Sequence, residues 1–296
     1  MSDLERFITR LHELVDRIET LLPKPAESPR WDSVVAYRWR KRSGVGSLVP
    51  VINPHGIRLE DLQGIDEQKQ LVDQNTQQFV NGYTANNVLL TGARGTGKSS
   101  LVKAVLKRYA SQGLRLIEVE KQDLVDLPEI VDLVSGVQSR FIIFCDDLSF
   151  DADEPGYKAL KVVLDGSIAT TSDNILVYAT SNRRHLMPEY MSENLETKYV
   201  GDEIHPGETV EEKISLSERF GLWVSFYPFD QDEYLRIVRH WLEQLEAGPD
   251  DATEVKQAAL QWALLRGSRS GRVAWQFARG WAGRHKAATR KSGRSR

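Results

Sequence analysis

Between Val88 and Leu101 the chain reads Val-Leu-Leu-Thr-Gly-Ala-Arg-Gly-Thr-Gly-Lys-Ser-Ser-Leu, and the spacing Gly92-x-x-x-x-Gly97-Lys98-Ser99 is one that can hold phosphates. Glycines at 92, 95 and 97 let the backbone turn so that successive N–H groups face inward. The positive end of a following helix adds to that anion cradle. Ala93, Arg94, Thr96 and Ser100 complete the loop. Lys98 has the reach to touch the β- and γ-phosphates of ATP, and the Ser99 hydroxyl is an oxygen ligand suited to Mg²⁺. A chance glycine-rich turn would not be followed, in order, by the three further elements below.

The first is Phe141-Ile142-Ile143-Phe144-Cys145-Asp146-Asp147, an apolar strand ending in two carboxylates. A rigid strand can aim Asp146 at the Mg²⁺ shell and leave Asp147 where a water must be oriented or deprotonated for attack on the γ-phosphate. The second is Ile175-Leu176-Val177-Tyr178-Ala179-Thr180-Ser181-Asn182, again a strand with a polar tip. Asn182 either positions that water together with Asp147 or only shapes a turn. The third is Ser215-Leu216-Ser217-Glu218-Arg219-Phe220-Gly221-Leu222, in which Arg219 can point out of its own subunit toward a neighbour's γ-phosphate. Further on, Gly271-Arg272-Val273 opens a helix from which Arg272 can reach phosphates.

These groups need a scaffold, and the hydrophobic pattern supplies one. Strands are expected at 88–91, 114–119, 141–146, 175–180 and 222–227, with helical patterns between them, including 67–81 and 100–109. Such alternation predicts a parallel sheet covered on both faces, with ligands at the C-terminal ends of its strands. After Pro228 only helices are expected: one capped by Asp230 and running to about Leu245, then segments near 252–265 and 270–284, with Trp262, Trp275 and Trp281 in a small core. The predicted organisation is an N-terminal helix, linker and edge segment (1–60), an αβα unit (61–228), a helical lid (229–284) and a basic, disordered tail (285–296).

Outside that frame three stretches stand out. Leu4, Ile8, Leu11, Val15, Ile18 and Leu22 form an a/d seam, after a Ser2–Glu5 capping box, that docks either on its own domain or on a neighbouring subunit. Trp31, Tyr37 and Trp39 interleave with Arg38, Arg40, Lys41 and Arg42, which reads either as a grip on single-stranded nucleic acid or as aromatics packed inward under solvated cations; Val49–Ile52 is a candidate short edge strand. The acid-rich segment 183–212 is either a partner-binding insertion or a solvated loop. The charge is lopsided. No acidic residue follows Glu254, whereas 11 of the 39 basic residues do, leaving 28 basic against 42 acidic in the rest of the chain. That asymmetry points to an anionic partner, nucleic acid among them, for the C-terminal end. A single cysteine, Cys145, excludes an internal disulfide and suits a reducing cytoplasm. No apolar run approaches about 18 residues, so no membrane span is expected, and the start lacks a secretory signal pattern.

Taken together, the motifs at 92–100, 114–119, 141–150, 178–186 and 215–222 resemble those of the AAA+ superfamily, over most of residues 60–240. Within it the chain is similar almost end to end to a family of predicted ATPases catalogued only as a domain of unknown function. The resemblance implies a three-layer αβα P-loop NTPase fold with a five-stranded parallel sheet, a small all-α lid and Mg²⁺–ATP held between subunits of a homo-oligomer. It implies Asn182 as sensor 1, Arg219 as the arginine finger and Arg272 as sensor 2. The expected function is ATP hydrolysis coupled to remodelling or assembly of a protein partner, the alternative being an ATP-gated switch or loader on nucleic acid. Two departures from the superfamily pattern matter. The usual Asp-Glu pair is Asp146-Asp147 here, a side chain one methylene shorter, which argues against fast hydrolysis but not against binding. The segment Glu120–Leu124, where threading motors carry an aromatic pore loop, has no aromatic; Lys198-Tyr199-Val200-Gly201 resembles such a loop but follows the wrong strand.

Overall fold

The structure is a computed structural model that describes residues 6–14, 28–42, 44–54, 56–150, 154–165, 173–182, 198–200, 203–205, 216–247 and 252–293. The strands are β1 (Ala36–Arg42), β2 (Val45–Pro50), β3 (Val88–Gly92), β4 (Leu114–Val119), β5 (Arg140–Cys145), β6 (Ile175–Ser181), β7 (Lys198–Val200), β8 (Glu203–His205) and β9 (Leu222–Phe226). The helices that matter here are α1 (Asp66–Val80), α2 (Lys98–Tyr109), α3 (Leu127–Val134), α4 (Pro155–Asp165), α5 (Gln231–Gln244), α6 (Ala252–Arg266) and α7 (Gly271–Gly293).

One seven-stranded sheet runs in the order β2-β1-β4-β5-β6-β3-β9. From β1 to β9 every neighbouring pair is parallel; only β1–β2 is antiparallel. The five expected strands are all present, in the order β4-β5-β6-β3-β9, so β3 and its loop lie between two strands whose ends also approach the site. The expectation of five strands is corrected to seven. A hairpin of β1 and β2 extends the sheet on the β4 side, Ala36 opposite Leu116 and Tyr37 opposite Ile117. The reason is alternation: Tyr37 and Trp39 point into the core while Arg38 and Arg40 point out, a period-two pattern that makes one buried face. Residues 36–50 are therefore part of the sheet rather than of a separate N-terminal segment. β2 spans 45–50, slightly before the expected edge strand at 49–52. β7 and β8 pair antiparallel by themselves within the acid-rich segment; the rest of 183–212 lies outside the described residues.

Strand residues sort by parity onto two cores. Val88 and Leu90, Ile142 and Phe144, and Leu176 and Tyr178 face one side, with α1, α2 and the C-terminal helices. Leu89, Ile143, Cys145, Val177 and Ala179 face the other, with α3 and α4. Both faces of the parallel sheet are thus covered, as near-continuous apolar strands require. Cys145 is fully buried, and that burial pushes its thiol up to about 12, so it is a packing residue.

Asp230 caps α5 as expected, accepting from the Glu233 N–H at 2.7 Å while Glu233 returns a bond to the Asp230 N–H at 3.0 Å. α7 continues to Gly293, past Arg284, so the expected disordered tail begins as helix; Lys286, Ala287, Ala288, Arg290 and Lys291 are all good helix formers. At the other end of the chain, residues 6–14 are helical, and Phe7, Ile8, Leu11 and Leu14 are exposed. These four side chains keep about half or more of their surface exposed. The Ser2–Glu5 capping box and the seam residues Leu4, Val15, Ile18 and Leu22 lie outside the described residues.

Candidate nucleotide-binding site

β3 ends at Gly92, and the chain turns into α2 through three glycines with positive φ: Gly92 (123°), Gly95 (76°) and Gly97 (109°). Only glycine adopts these conformations without cost. At Gly92 a Cβ would also sit 1.9 Å from the Phe226 carbonyl oxygen on β9, so the close approach of two strands fixes this residue type a second time. Gly97 caps α2, which places Lys98 and Ser99 in the first turn of that helix.

Lys98 is 5% exposed and folds back over the loop. Its ammonium donates to the carbonyls of Gly92 (2.7 Å) and Ala93 (2.8 Å) and to Asn182 Oδ1 (3.1 Å). Burial pushes its pKa below the usual lysine value; the Asp147 and Asp146 carboxylates oppose that shift, and Arg272 and Arg94 add to it. Ser99 Oγ donates to Asp146 Oδ1 at 2.6 Å, joining the start of α2 to the tip of β5. Asn182, just past β6, donates through Nδ2 to Asp147 Oδ1. Asp147 has φ 55°, a left-handed conformation costing about 1–3 kcal/mol for a non-glycine residue.

These groups open onto one cavity of about 850 Å³. Its lining includes Arg94, Lys98, Ser99, Asp146, Asp147, Thr180 and Asn182. It also includes apolar side chains: Ile57, Leu62 and Ile65 ahead of α1, Phe229 just before α5, and Trp241 and Trp275 from α5 and α7. Trp241 and Trp275 pack with ring centroids 4.5 Å apart. Arg272 lines the cavity, and its N–H reaches the Gly95 carbonyl at 3.4 Å, so the start of α7 touches the loop. A cavity lined by charged and hydroxyl groups as well as by apolar and aromatic side chains suits a ligand that carries both phosphates and a flat base.

Of the residues singled out from sequence, the structure brings together Gly92–Ser100, Asp146, Asp147, Asn182 and Arg272. Arg219 is elsewhere: it does not line the cavity, and its Nε is paired with Asp165 at the end of α4. Two features were missed. Thr180 contributes to the acidic cluster, and the apolar lining is gathered from three segments far apart in sequence. Among the described residues no group of three or more His, Cys, Asp or Glu could hold a metal alone. The Ser99 hydroxyl and Asp146 carboxylate are hard oxygen donors of the kind Mg²⁺ accepts when phosphate oxygens and water complete its shell. The donor set therefore fits Mg²⁺–ATP.

The sheet order and this loop define a three-layer αβα fold of the P-loop type. The chain belongs to the family described as "Protein of unknown function (DUF815)", whose model matches residues 32–285. Among curated proteins it is similar to the replication factor C large subunit of Methanococcus maripaludis, 29% identical over 126 residues, which are 39% of this chain and 26% of that protein. The chain thus spans about a quarter of that relative's length. Among solved structures it is similar to the replication initiator DnaA bound to AMPPCP and single-stranded DNA (16% identity, 82% of this chain, 70% of that one, TM-score 0.52). It is also similar to the Aeropyrum pernix ORC1 protein in complex with DNA (17% identity, 72% of this chain, 58% of that one, TM-score 0.50). At these identities the likeness is one of fold.

Proposed function

We propose that this chain binds Mg²⁺–ATP between subunits of a homo-oligomer and hydrolyses it slowly, coupling the change to remodelling or assembly of a protein partner. The observation that carries this reading is the convergence of Lys98, Ser99, Asp146, Asp147 and Asn182, from the ends of three adjacent strands, at the mouth of one cavity. In this reading the loop N–H groups and Lys98 take the phosphates, Ser99 and Asp146 orient the metal, and the apolar lining with Trp241 and Trp275 takes the base. The ion supplies neutralisation of charge on the phosphate oxygens when bound. Asp147 and Asn182, already paired to each other, hold the attacking water, and Asp147 accepts its proton. Arg272, beside the loop, reports the phosphates to the C-terminal helices. Arg219 serves a neighbour's site in this reading.

The test is titration with a fluorescent ATP analogue beside a phosphate-release assay. Lys98→Ala should lose binding. Asp147→Asn should keep binding and lose turnover by about 10²-fold or more. Asp147→Glu, which extends the carboxylate toward the water, should raise turnover. Light scattering with ATP and Mg²⁺ should show assembly, and mixing Lys98→Ala with Arg219→Ala subunits should restore part of the turnover each lacks. Wild-type binding by Lys98→Ala would sink the assignment.

A second reading, an ATP-gated switch on nucleic acid, is favoured by one observation. Three arginines of the C-terminal helices stack over tryptophans: Arg266 over Trp262 (4.7 Å), Arg279 over Trp275 (5.7 Å) and Arg284 over Trp281 (5.8 Å). Guanidinium groups held over aromatic rings suit phosphates and bases. Salt-sensitive retention of DNA or RNA, with phosphate release absent, would select this reading over the first.

A further inference from the structure

We infer that Thr180 is the positioning residue for both carboxylates of the site, its one hydroxyl fixing the Asp146 side chain and the Asp147 backbone together. The inference rests on the Mg²⁺–nucleotide reading above and adds a residue to it.

The argument begins with strand register. β5 and β6 pair until Cys145 stands opposite Ala179. On the face shared with α2, Ile142 and Phe144 lead by parity to Asp146, and Leu176 and Tyr178 lead to Thr180. Beyond Cys145 the chain leaves the ladder, because Asp147 turns to φ 55°. A backbone N–H that leaves a ladder loses its strand acceptor and needs another. The Asp147 N–H finds one in Thr180 Oγ1, at 2.9 Å. A hydroxyl has a single proton, and with an N–H donating to it that proton is free to go elsewhere. It goes to Asp146 Oδ1, at 2.6 Å.

Asp146 Oδ1 therefore accepts from Thr180 on one side and Ser99 on the other, both at 2.6 Å. Two donors on one oxygen set the rotation of the carboxylate and so the direction of its second oxygen. Thr180 is 2% exposed, so water does not compete for the hydroxyl. The turn itself is stitched independently: the Leu148 N–H donates to the Thr180 carbonyl at 2.7 Å, and Ser181 Oγ donates to the Leu148 carbonyl at 2.7 Å. Removing the hydroxyl alone thus leaves the backbone tied while taking one of its ties from each acid.

Thr180→Val, close in shape, removes the hydroxyl. The full chain is titrated with a fluorescent ATP analogue, first in EDTA and then at rising Mg²⁺. We expect Thr180→Val to keep its EDTA affinity within about twofold, while the Mg²⁺ concentration at half effect rises about tenfold, the usual consequence of losing a group that orients a metal ligand. Thr180→Ser, which restores the hydroxyl, should return the midpoint to near wild type. Should Val disturb folding, judged by thermal melting without Mg²⁺, Thr180→Ala replaces it with the same expected shift. An unchanged Mg²⁺ midpoint in the hydroxyl-free variant, or a Ser variant as impaired as Val, overturns the inference. A wild-type chain that binds no nucleotide at any Mg²⁺ concentration overturns the site reading itself, and this inference with it.

Discussion

Two parts of this chain set tryptophans among arginines, and they do so in different ways. Along β1, Trp39 sits between Arg38 and Arg40; its ring packs where a Cβ on Gly46 of β2 would come within 2.0 Å, and its Nε1 donates to Asp126 at 3.0 Å. Three of the four cations meet a carboxylate, Arg38 with Glu118 (2.7 Å), Arg40 with Glu120 (2.5 Å) and Lys41 with Asp126 (2.8 Å), while Arg42 at the strand's end forms no ion pair among the described residues. Along α6 and α7 the pattern is the reverse. Arg266, Arg279 and Arg284 are exposed and lie over partly buried tryptophans, in a segment that has no acidic residue after Glu254. The same residue types thus close a sheet edge in one place and, in the other, set three arginines that form no ion pair among the described residues. What separates a structural pattern from a binding one is the presence of counter-charges, which an interleaving of aromatics and cations does not by itself reveal.

The strongest way to break this contrast is to remove its structural half. Trp39→Ala should destabilise the chain by about 3–5 kcal/mol, the usual range for a buried tryptophan, read as a shift in chemical denaturation midpoint. A loss below about 1 kcal/mol would mean the hairpin does not share the sheet's core.

Asp126 comes next, since it serves both Trp39 and Lys41. Burial pushes its pKa up, but the hydrogen bonds from Lys41 and Trp39 outweigh that and hold it below the usual carboxylate value. A carboxyl lowered in the folded state contributes stability that is complete above its unfolded pKa, roughly 4, and is lost as pH falls through the lower folded value. Asp126→Asn should therefore cost about 1–3 kcal/mol near pH 7 and flatten the part of the acid-unfolding curve below pH ~4. An acid limb parallel to wild type would show that Asp126 does not carry that pH dependence.

The other half of the contrast is sharpened by charge. On the nucleic-acid reading, Arg279→Gln with Arg284→Gln should reduce retention on DNA or RNA at low salt and lower the slope of log affinity against log salt by about two. Arg38→Gln with Arg40→Gln should leave both unchanged. Equal losses from the two pairs would erase the distinction between the regions.

These two regions also mark where the sequence was readable. The loop from Gly92 to Ser99 was legible because its chemistry is local: glycines, lysine and hydroxyl act within one turn, and the structure places them where spacing put them. Asp146 and Asn182 were legible as the polar tips of apolar strands. β1 was half legible: inward-packed aromatics under solvated cations was one of the two readings, but the period of two that makes 36–42 a strand was not drawn from it. Thr180 was not legible, because its role depends on Cys145 standing opposite Ala179, a pairing between strands that no single segment states. The apolar lining of the cavity escaped for the same reason: Leu62, Phe229 and Trp275 meet only after the sheet and the C-terminal helices have packed.

The smallest effect belongs to the outermost pair. Arg40 and Glu120 have side chains 36% and 43% exposed. An exposed pair gains little from its charges, because water screens them and two long side chains lose freedom to meet. Arg40→Ala should therefore change stability by no more than about 1 kcal/mol, with the deficit shrinking in higher salt. Glu120→Ala should behave alike, and the double variant should equal either single one if the pair acts only through its mutual contact. A loss near that of Trp39→Ala would mean that Arg40 holds the edge by packing its methylene stem on the sheet, which a methionine at 40 would then restore and a glutamine would not.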